Sequence, residues 1–445
     1  MESCRKGFDD KTWQVHKFGG TSVADASCLE KVASIVEEQI LLPHDGSACQ
    51  VPNLAVVVSA MGGKPKVTDL LLSAVSAAAK RDDSQVTHNM NFILDKHHSC
   101  LQKLPISPSV RQNLEDGISR DLQDIRDILK TVSLMKWEAA RISELVSGYG
   151  ETWSSQILSA LLSARAASKL GEEMEHRFCY LDARRVITID EDAIKDGAVC
   201  WDISLSKMRT VYEMTLKEIF GGNARATQRL HFIITGFIAS NTHGVSTTLQ
   251  RDGSDYSAAI MGRLLESASI QIWTDVDGVL SADPRRVPDS YVLPEVSFNE
   301  AMELAYFGAK VIHPRTMQPC IMANPQIPIY IRNTFNSSFR GSRIFTSSTT
   351  HQDRDRCVCG FASIEKMALV NVEGSGMVGV KGVARRLFGT LENIGVNVVL
   401  IAQASSEHSI TFATTMEESK AAKEAIEEEF HKEISQVSRH ENFPF

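Results

Sequence analysis

The chain has 445 residues, enough for about three domain-sized units or one large and one small. Its composition, 43% hydrophobic and 23% charged, is that of a globular protein and excludes a disordered or collagen-like one. A net charge of -8 without a basic stripe argues against a nucleic-acid footprint, and no apolar run reaches the ~20 residues that span a bilayer.

The opening MESCRKGFDDKTW carries acids and no apolar stretch, so neither a secretory signal nor an intact transit peptide is expected. Residues 15–20 (VHKFGG) read as a short strand entering a Gly-Gly turn. A helix follows, with Leu29, Val32, Val36 and Ile40 on one face and Ser27 and Glu30 as a capping box. Leu54–Ala60 is a continuous valine-rich run, suited to a parallel strand covered on both faces. It ends in MGGKPK, and helix resumes with Thr68 at its N-cap. Strand, glycine turn and helix, twice over, begin a layered α/β domain.

Residues 80–147 read as two or three polar helices outside the sheet, and Glu151–Leu170 as another, stopped by Gly171. The adjacent His97 and His98 read as a solvated face rather than metal ligands. Strands follow at Phe178–Tyr180, His231–Ala239 and Ser269–Trp273, with a helix from about Asp255 between the last two. Ser297 and Glu300 cap a further helix, Pro314 starts the next, and residues 327–333 read as a last strand. Residues 336–358 are polar and Ser/Thr-rich, which predicts a linker between a domain over 13–335 and a small module over 359–445. That module reads as β-α-β-β plus an acidic helix, Glu417–Phe430. The nine cysteines are scattered singly, as expected for reduced thiols.

Several segments carry chemistry. GSGMVG (374–379) mimics a dinucleotide fingerprint, but the next strand ends at Gln403 instead of an acid, and too few residues follow for such a domain. In KFGGTS (17–22) the glycines admit close backbone approach, helix-opening N–H groups suit phosphate, and Lys17 stands at the strand end. Arg251, Asp252, Gly253, Ser254 and Asp255 form a second strand-to-helix junction, with a guanidinium suited to a carboxylate. Thr274 and Asp275 lie past a strand's C-terminal end, where open α/β sheets bind ligands. Lys310 sits in GAKVIHP, a loop before a proline-started helix. Each segment alone also reads as an ordinary turn, cap or surface charge.

In this order, KFGGTSV, VVVSAMGG, GYGE, TTLQRDGSDYSAA, WTDVDGV, ADPR and FGAKVIHP resemble the aspartate kinases of the amino-acid kinase family. The tail, VNVEGSGMVGVKGVARRLF through NVVLIAQASSEHSITFA, resembles their first ACT module, and the likeness is nearest to the kinase half of bifunctional aspartate kinase–homoserine dehydrogenases. It covers about residues 13–430. The resemblance implies a three-layer α/β/α kinase domain followed by a small ACT-like α+β module. It also implies ATP with Mg²⁺, L-aspartate as acceptor, 4-phospho-L-aspartate as product for lysine, threonine, methionine and isoleucine synthesis, and a homodimer or larger homo-oligomer. A cytoplasmic setting is expected, or a plastid one if a transit peptide has been removed.

By the same resemblance Lys17, Gly19, Gly20, Thr21 and Ser22 would cradle the ATP phosphates, and Thr274, Asp275, Arg285 and Lys310 would meet the nucleotide. Ser59, Thr68, Glu151, Arg251 and Ser254 fall at the aspartate positions, with Arg251 on the α-carboxylate and Glu151 on the ammonium. Asp255 would organise the catalytic lysines Lys17 and Lys310. No resident metal ligands are expected. Gln403, Ser405, Ser406 and Glu407 fall at an effector edge for lysine or threonine, or form a plain turn between strands.

The chain departs from the family at three points. Asp252 stands where a glycine is common, Leu280 replaces a frequent tyrosine, and a second ACT module is not visible after the first. Two other functions therefore stay open: a regulatory or decoy subunit without turnover, and a related acyl-phosphate kinase acting on glutamate or acetylglutamate.

Overall fold

The computed structural model describes residues 12–41, 52–136, 140–169, 175–190, 198–222, 228–250, 252–306, 312–346, 358–374, 377, 379–403 and 408–434. Two compact units divide the chain, Met1–Ala362 and Ser363–Phe445.

In the first unit β1 (Trp13–Phe18) runs into a 3-10 turn (Gly20–Val23) and α1 (Ala26–Leu41). Then come β2 (Asn53–Val58), α2 (Val67–Ala79), α3 (Asp83–Lys103), α4 (Pro108–Met135), α5 (Ala140–Ser147) and α6 (Tyr149–Lys169). After β3 (Glu175–Leu181), the short strands β4 (Thr188–Asp190) and β5 (Ala198–Val199) lead to α7 (Trp201–Phe220). β6 (Gln228–Thr235), β7 (Ile238–Asn241), β8 (Ser246–Thr248), α8 (Gly253–Leu264) and β9 (Ser269–Thr274) follow. β10 (Glu295–Ser297), α9 (Phe298–Tyr306), α10 (Pro314–Ile321), β11 (Ile329–Asn333) and β12 (Ser342–Phe345) complete it.

Eight strands form one sheet in the order β10-β12-β11-β9-β1-β2-β6-β3. The six from β11 to β3 are parallel, whereas β12 pairs antiparallel with β11. β2 shows why a strand of almost pure valine forms here. Leu54, Val56 and Val58 enter the core beneath α1, α2, α3, α4 and α6, while Ala55 and Val57 enter the opposite core beneath α7 to α10. The result is a three-layer α/β/α domain. β5-β4-β7-β8 make a separate small sheet.

Five sequence expectations are corrected. The run 231–239 is two strands, because the backbone turns at Gly236 and Phe237, and Phe237 has φ +65°. Helix α1 is capped by Asp25, whose carboxylate accepts the Cys28 N–H at 2.9 Å; Asp competes strongly for this role. Thr68 is not an N-cap: α2 begins at Val67 and Lys66 holds the cap position. His97 is fully buried and packs edge-on against Trp153 at 5.1 Å, so only His98 fits a solvated face. Ser342–Phe345, inside the stretch read as a linker, is a sheet strand; Gly341 (φ +75°) makes the turn, and four residues are too few to show an apolar period. The expected stop at Gly171 lies outside the described residues.

The second unit consists of β13 (Met367–Glu373), α11 (Val383–Asn393), β14 (Leu400–Gln403), β15 (Ser409–Thr415) and α12 (Met416–Glu429). Its antiparallel sheet, β13-β15-β14, buries Ile410 and Phe412 against Leu387, Leu391, Ala422 and Ile426 of the two helices.

Candidate active site

Parallel strands end on a common edge, and the chemistry-bearing loops leave from that edge. Lys17 is the fifth residue of β1 and shares the face of Trp13 and Val15, the face that α8 covers. Its ammonium lies 2.6 Å from Asp255, in the first turn of α8. Only 10% and 14% of these side chains is exposed, so each charge depends on the other in place of water.

The turn after β1 is held by backbone on three sides. Gly19 N–H donates to Trp273 O at 3.3 Å, and Ser22 N–H to Gly19 O at 3.0 Å. Gly62 N–H, in the loop after β2, donates to Gly20 O at 2.9 Å. A Cβ on Gly62 would stand 2.4 Å from that oxygen, so the glycine is required by close approach of two backbones. A 3-10 turn leaves its first N–H groups without intrahelical acceptors, which makes this start suited to an anion. Thr21 is exposed at the turn, but Ser22 is buried and its hydroxyl bonds Thr334 Oγ1 at 2.7 Å. Ser22 therefore fixes the turn, and its side chain is not presented to a phosphate.

A second group gathers beside it. Ser59 Oγ donates to Ser254 Oγ at 2.8 Å, linking the end of β2 to the start of α8. Ser154 Oγ donates to Ser59 O at 2.6 Å, which brings in α6. On α6, Glu151 is 5% exposed and accepts a bond from the Ala60 N–H. Burial pushes its carboxyl up to about 8, and its Oε2 has no partner among the described residues. No cation among the described residues pairs with an ionised Glu151. Thr68 is half-buried in the first turn of α2, one loop away.

Three non-glycine residues near this junction have left-handed backbone: Phe237 (φ +65°), Gln250 (+60°) and Asp252 (+52°). Such strain is held only where surrounding structure enforces it, and it gathers at functional sites. Asp252 is exposed and makes no cap bond to α8.

On the other flank, Thr274 ends β9 and its hydroxyl donates to Asp275 at 3.2 Å. Thr334 N–H donates to Thr274 O at 2.9 Å, so one threonine joins the ends of β9 and β11 to the turn at Ser22. Asp277 accepts from Asn333 and Asn336, leaving Asp275 as the exposed carboxylate. Arg285 is exposed in the loop between β9 and β10, paired at 2.7 Å with Asp283, whose carboxyl it holds down at about 2. Arg251, Lys310, Ser405, Ser406 and Glu407 lie outside the described residues, and Gln403 is exposed at the end of β14.

Lys17, Asp255, Gly19, Gly20, Ser59, Ser254 and Glu151 are thus joined by bonds and close contacts at one sheet edge. Sequence reasoning missed two residues there. Thr334 follows a strand in parallel register, which is a usable signal; Lys96, on polar α3, donates to Gly62 O and gave none.

Comparison with known proteins gives the family. The model of the amino acid kinase family matches residues 12–333, and an ACT domain model matches 370–430. The chain belongs to the amino acid kinase family. It is 38% identical over 424 residues to a chloroplastic bifunctional aspartokinase/homoserine dehydrogenase 1 of Zea mays, covering 95% of this chain and 42% of that protein. Aspartokinase 2, chloroplastic, of Arabidopsis thaliana is 28% identical over 401 residues, 89% of this chain and 65% of that one. The chain thus spans less than half the length of the bifunctional relative. Among solved structures, E. coli aspartokinase III in complex with lysine and aspartate superposes with a TM-score of 0.64 at 24% identity, covering 90% of this chain and 78% of that one. The same enzyme with aspartate and ADP gives 0.61 at 22% identity, covering 94% and 99%.

Proposed function

We propose that this member of the amino acid kinase family is an ATP-dependent aspartate kinase, forming 4-phospho-L-aspartate and ADP. The observation that carries it is the Lys17–Asp255 pair at the glycine turn, joined through Ser254 and Ser59 to the loop that seats the buried Glu151. One half suits an anion, the other an ammonium group. The relatives' names and the aspartate and ADP held by the E. coli enzyme support the same assignment.

The acceptor β-carboxylate has a reference pKa of ~3.9 and is already ionised at neutral pH, so no general base is required. One carboxylate oxygen bonds to the γ-phosphorus while the bond from that phosphorus to the β,γ-bridging oxygen breaks, and ADP leaves with the electron pair. The obstacle is bringing two anions together, which makes positioning and charge neutralisation the catalytic tasks. Lys17 stabilises the transferring phosphoryl group, Asp255 keeps its ammonium aimed, and the 3-10 turn supplies N–H donors. Lys310 is proposed as the second cation and Arg251 as the α-carboxylate clamp. Glu151 receives the α-ammonium, and Thr68 lines the same side.

No group of three or more candidate metal ligands forms among the described residues, and Mg²⁺ characteristically keeps waters and nucleotide phosphates as ligands. Asp275, exposed and next to Thr274, fits as its protein carboxylate. The ion supplies neutralisation of phosphate charge. Inhibition by lysine or threonine through the ACT unit and a homodimeric or larger homo-oligomeric state are part of the same proposal. No described helix is long and apolar enough to cross a membrane. A plastid setting accords with the chloroplastic relatives, and a cytoplasmic one is the alternative.

The test is ADP release with aspartate, glutamate or acetylglutamate as acceptor, with hydroxylamine present and the ACT effectors titrated in turn. Aspartate-dependent hydroxamate is expected. ADP release driven only by another acid would reassign the substrate, and none at all would leave a binding subunit.

A further inference from the structure

Lys96 stands outside the groups used so far. It lies on α3, in a polar stretch that the sequence marks only as helix outside the sheet. Its ammonium crosses to the loop after β2 and donates to the Gly62 carbonyl oxygen. A Cβ on Gly63 would stand 3.1 Å from the same ammonium, so the side chain lies against both glycines. Gly62 in turn gives its N–H to Gly20 O at 2.9 Å. One residue, Gly62, is thus held on both sides: its N–H by the turn after β1, its carbonyl by a lysine 34 residues away.

The neighbouring residue completes the link. His97 packs edge-on against Trp153 of α6, two residues beyond Glu151, and its Nδ1 bonds Ile93 O at 2.7 Å. Adjacent side chains of α3 therefore reach the glycine loop and the helix that bears the buried acid. Burial lowers the Lys96 pKa, so its ammonium is held in a poorly hydrated position where a fixed acceptor counts for more.

We propose that Lys96 is a positioning residue: by holding the Gly62 carbonyl it fixes the 59–63 loop against the Gly19–Ser22 turn and so aligns acceptor and nucleotide. It touches neither reacting group. Misplacement of a reacting pair by about 1 Å costs on the order of 10²-fold in rate, which is the scale this lock controls. The inference rests on the acyl-phosphate kinase reading of this edge, though not on which amino acid is used.

The experiment compares the full chain with Lys96→Met and Lys96→Arg, measuring kcat, acceptor KM, ATP affinity by dye displacement, and thermal midpoint. Expected for Lys96→Met is a 10- to 100-fold drop in kcat with a midpoint within a few degrees of the parent, and recovery of several-fold of that loss in Lys96→Arg. Unchanged kcat in Lys96→Met overturns the proposal. So does a kcat loss that matches the fraction unfolded and is not recovered by arginine. If the parent protein turns over with a different amino acid, the aspartate assignment fails while the same comparison still decides the role of Lys96. If the parent has no turnover, ATP affinity decides: a weakening of at least about 5-fold in Lys96→Met supports the lock, and equal affinity sinks it.

Discussion

Lys17 and Asp255, 238 residues apart in sequence, meet at 2.6 Å where β1 ends and α8 begins. The pair is nearly dry, so each member holds the other in a fixed, aimed position. Lys17→Ala should lower turnover by about 10²-fold or more while the far-ultraviolet circular dichroism is retained. Asp255→Asn should leave a poorly compensated cation and cost roughly 1–3 kcal/mol in denaturant stability as well as activity. Full turnover in the lysine variant, with aspartate as acceptor, contradicts the assignment.

Glu151 gives a pH signature. Its folded-state pKa, about 8, is above the unfolded value, so its ionised form is the one that burial penalises. An amino acid's ammonium needs that ionised form, and the acceptor KM should fall as pH rises from about 7 to 9. Glu151→Gln should raise KM and flatten this dependence. Stability has the opposite sign: the contribution of the protonated group is complete below about 4.5 and lost as pH climbs through about 8. In the ligand-free protein the glutamine variant should therefore melt above the parent at pH 8–9. Parallel KM profiles for the two proteins rule out the ammonium role.

Asp252 holds a left-handed backbone at φ +52° with an exposed carboxylate that makes no cap bond to the helix it precedes. Asp252→Gly removes the strain and one negative charge beside two anionic substrates. A gain of about 1 kcal/mol in stability and a lower KM for aspartate or ATP are expected. A higher KM would give the carboxylate a positive role instead.

Gly62→Ala places a methyl group 2.4 Å from Gly20 O, against backbone that cannot swing aside. Overpacking of this kind costs about 1–3 kcal/mol, and here it also parts the two ligand loops. Loss of ATP affinity should accompany the drop in melting temperature. Gly117→Ala, where a Cβ meets nothing within 4 Å, is the control and should leave ATP affinity unchanged.

Much of this site is legible from local sequence, because strand-end glycines and helix-start acids leave short-range marks. The valine run of β2 announces burial on both faces, and KFGG marks the turn beside Lys17. What is not legible is what depends on approach across the fold. The break falls at Gly236, where an added Cβ would stand 2.6 Å from Ser254 Cβ of α8, a closeness that only the folded chain reveals. The Ser22–Thr334 bond spans 312 residues, and Lys96 looks like any solvated lysine until α3 is docked. β12 is invisible because it is short, polar at Ser342 and Arg343, and stabilised by the sheet it joins.

The position of β1 between β2 and β9 has a consequence for how the protein is made. A ribosome releases Trp13–Phe18 long before Ser269–Thr274, the partner of its other edge. Until then one side of the sheet's middle strand exposes unpaired amides and its share of Trp13, Val15 and Phe18 surface, a combination that invites intermolecular pairing. Chaperone demand should therefore be concentrated in nascent chains that have not yet released the ninth strand and relax once it has been inserted.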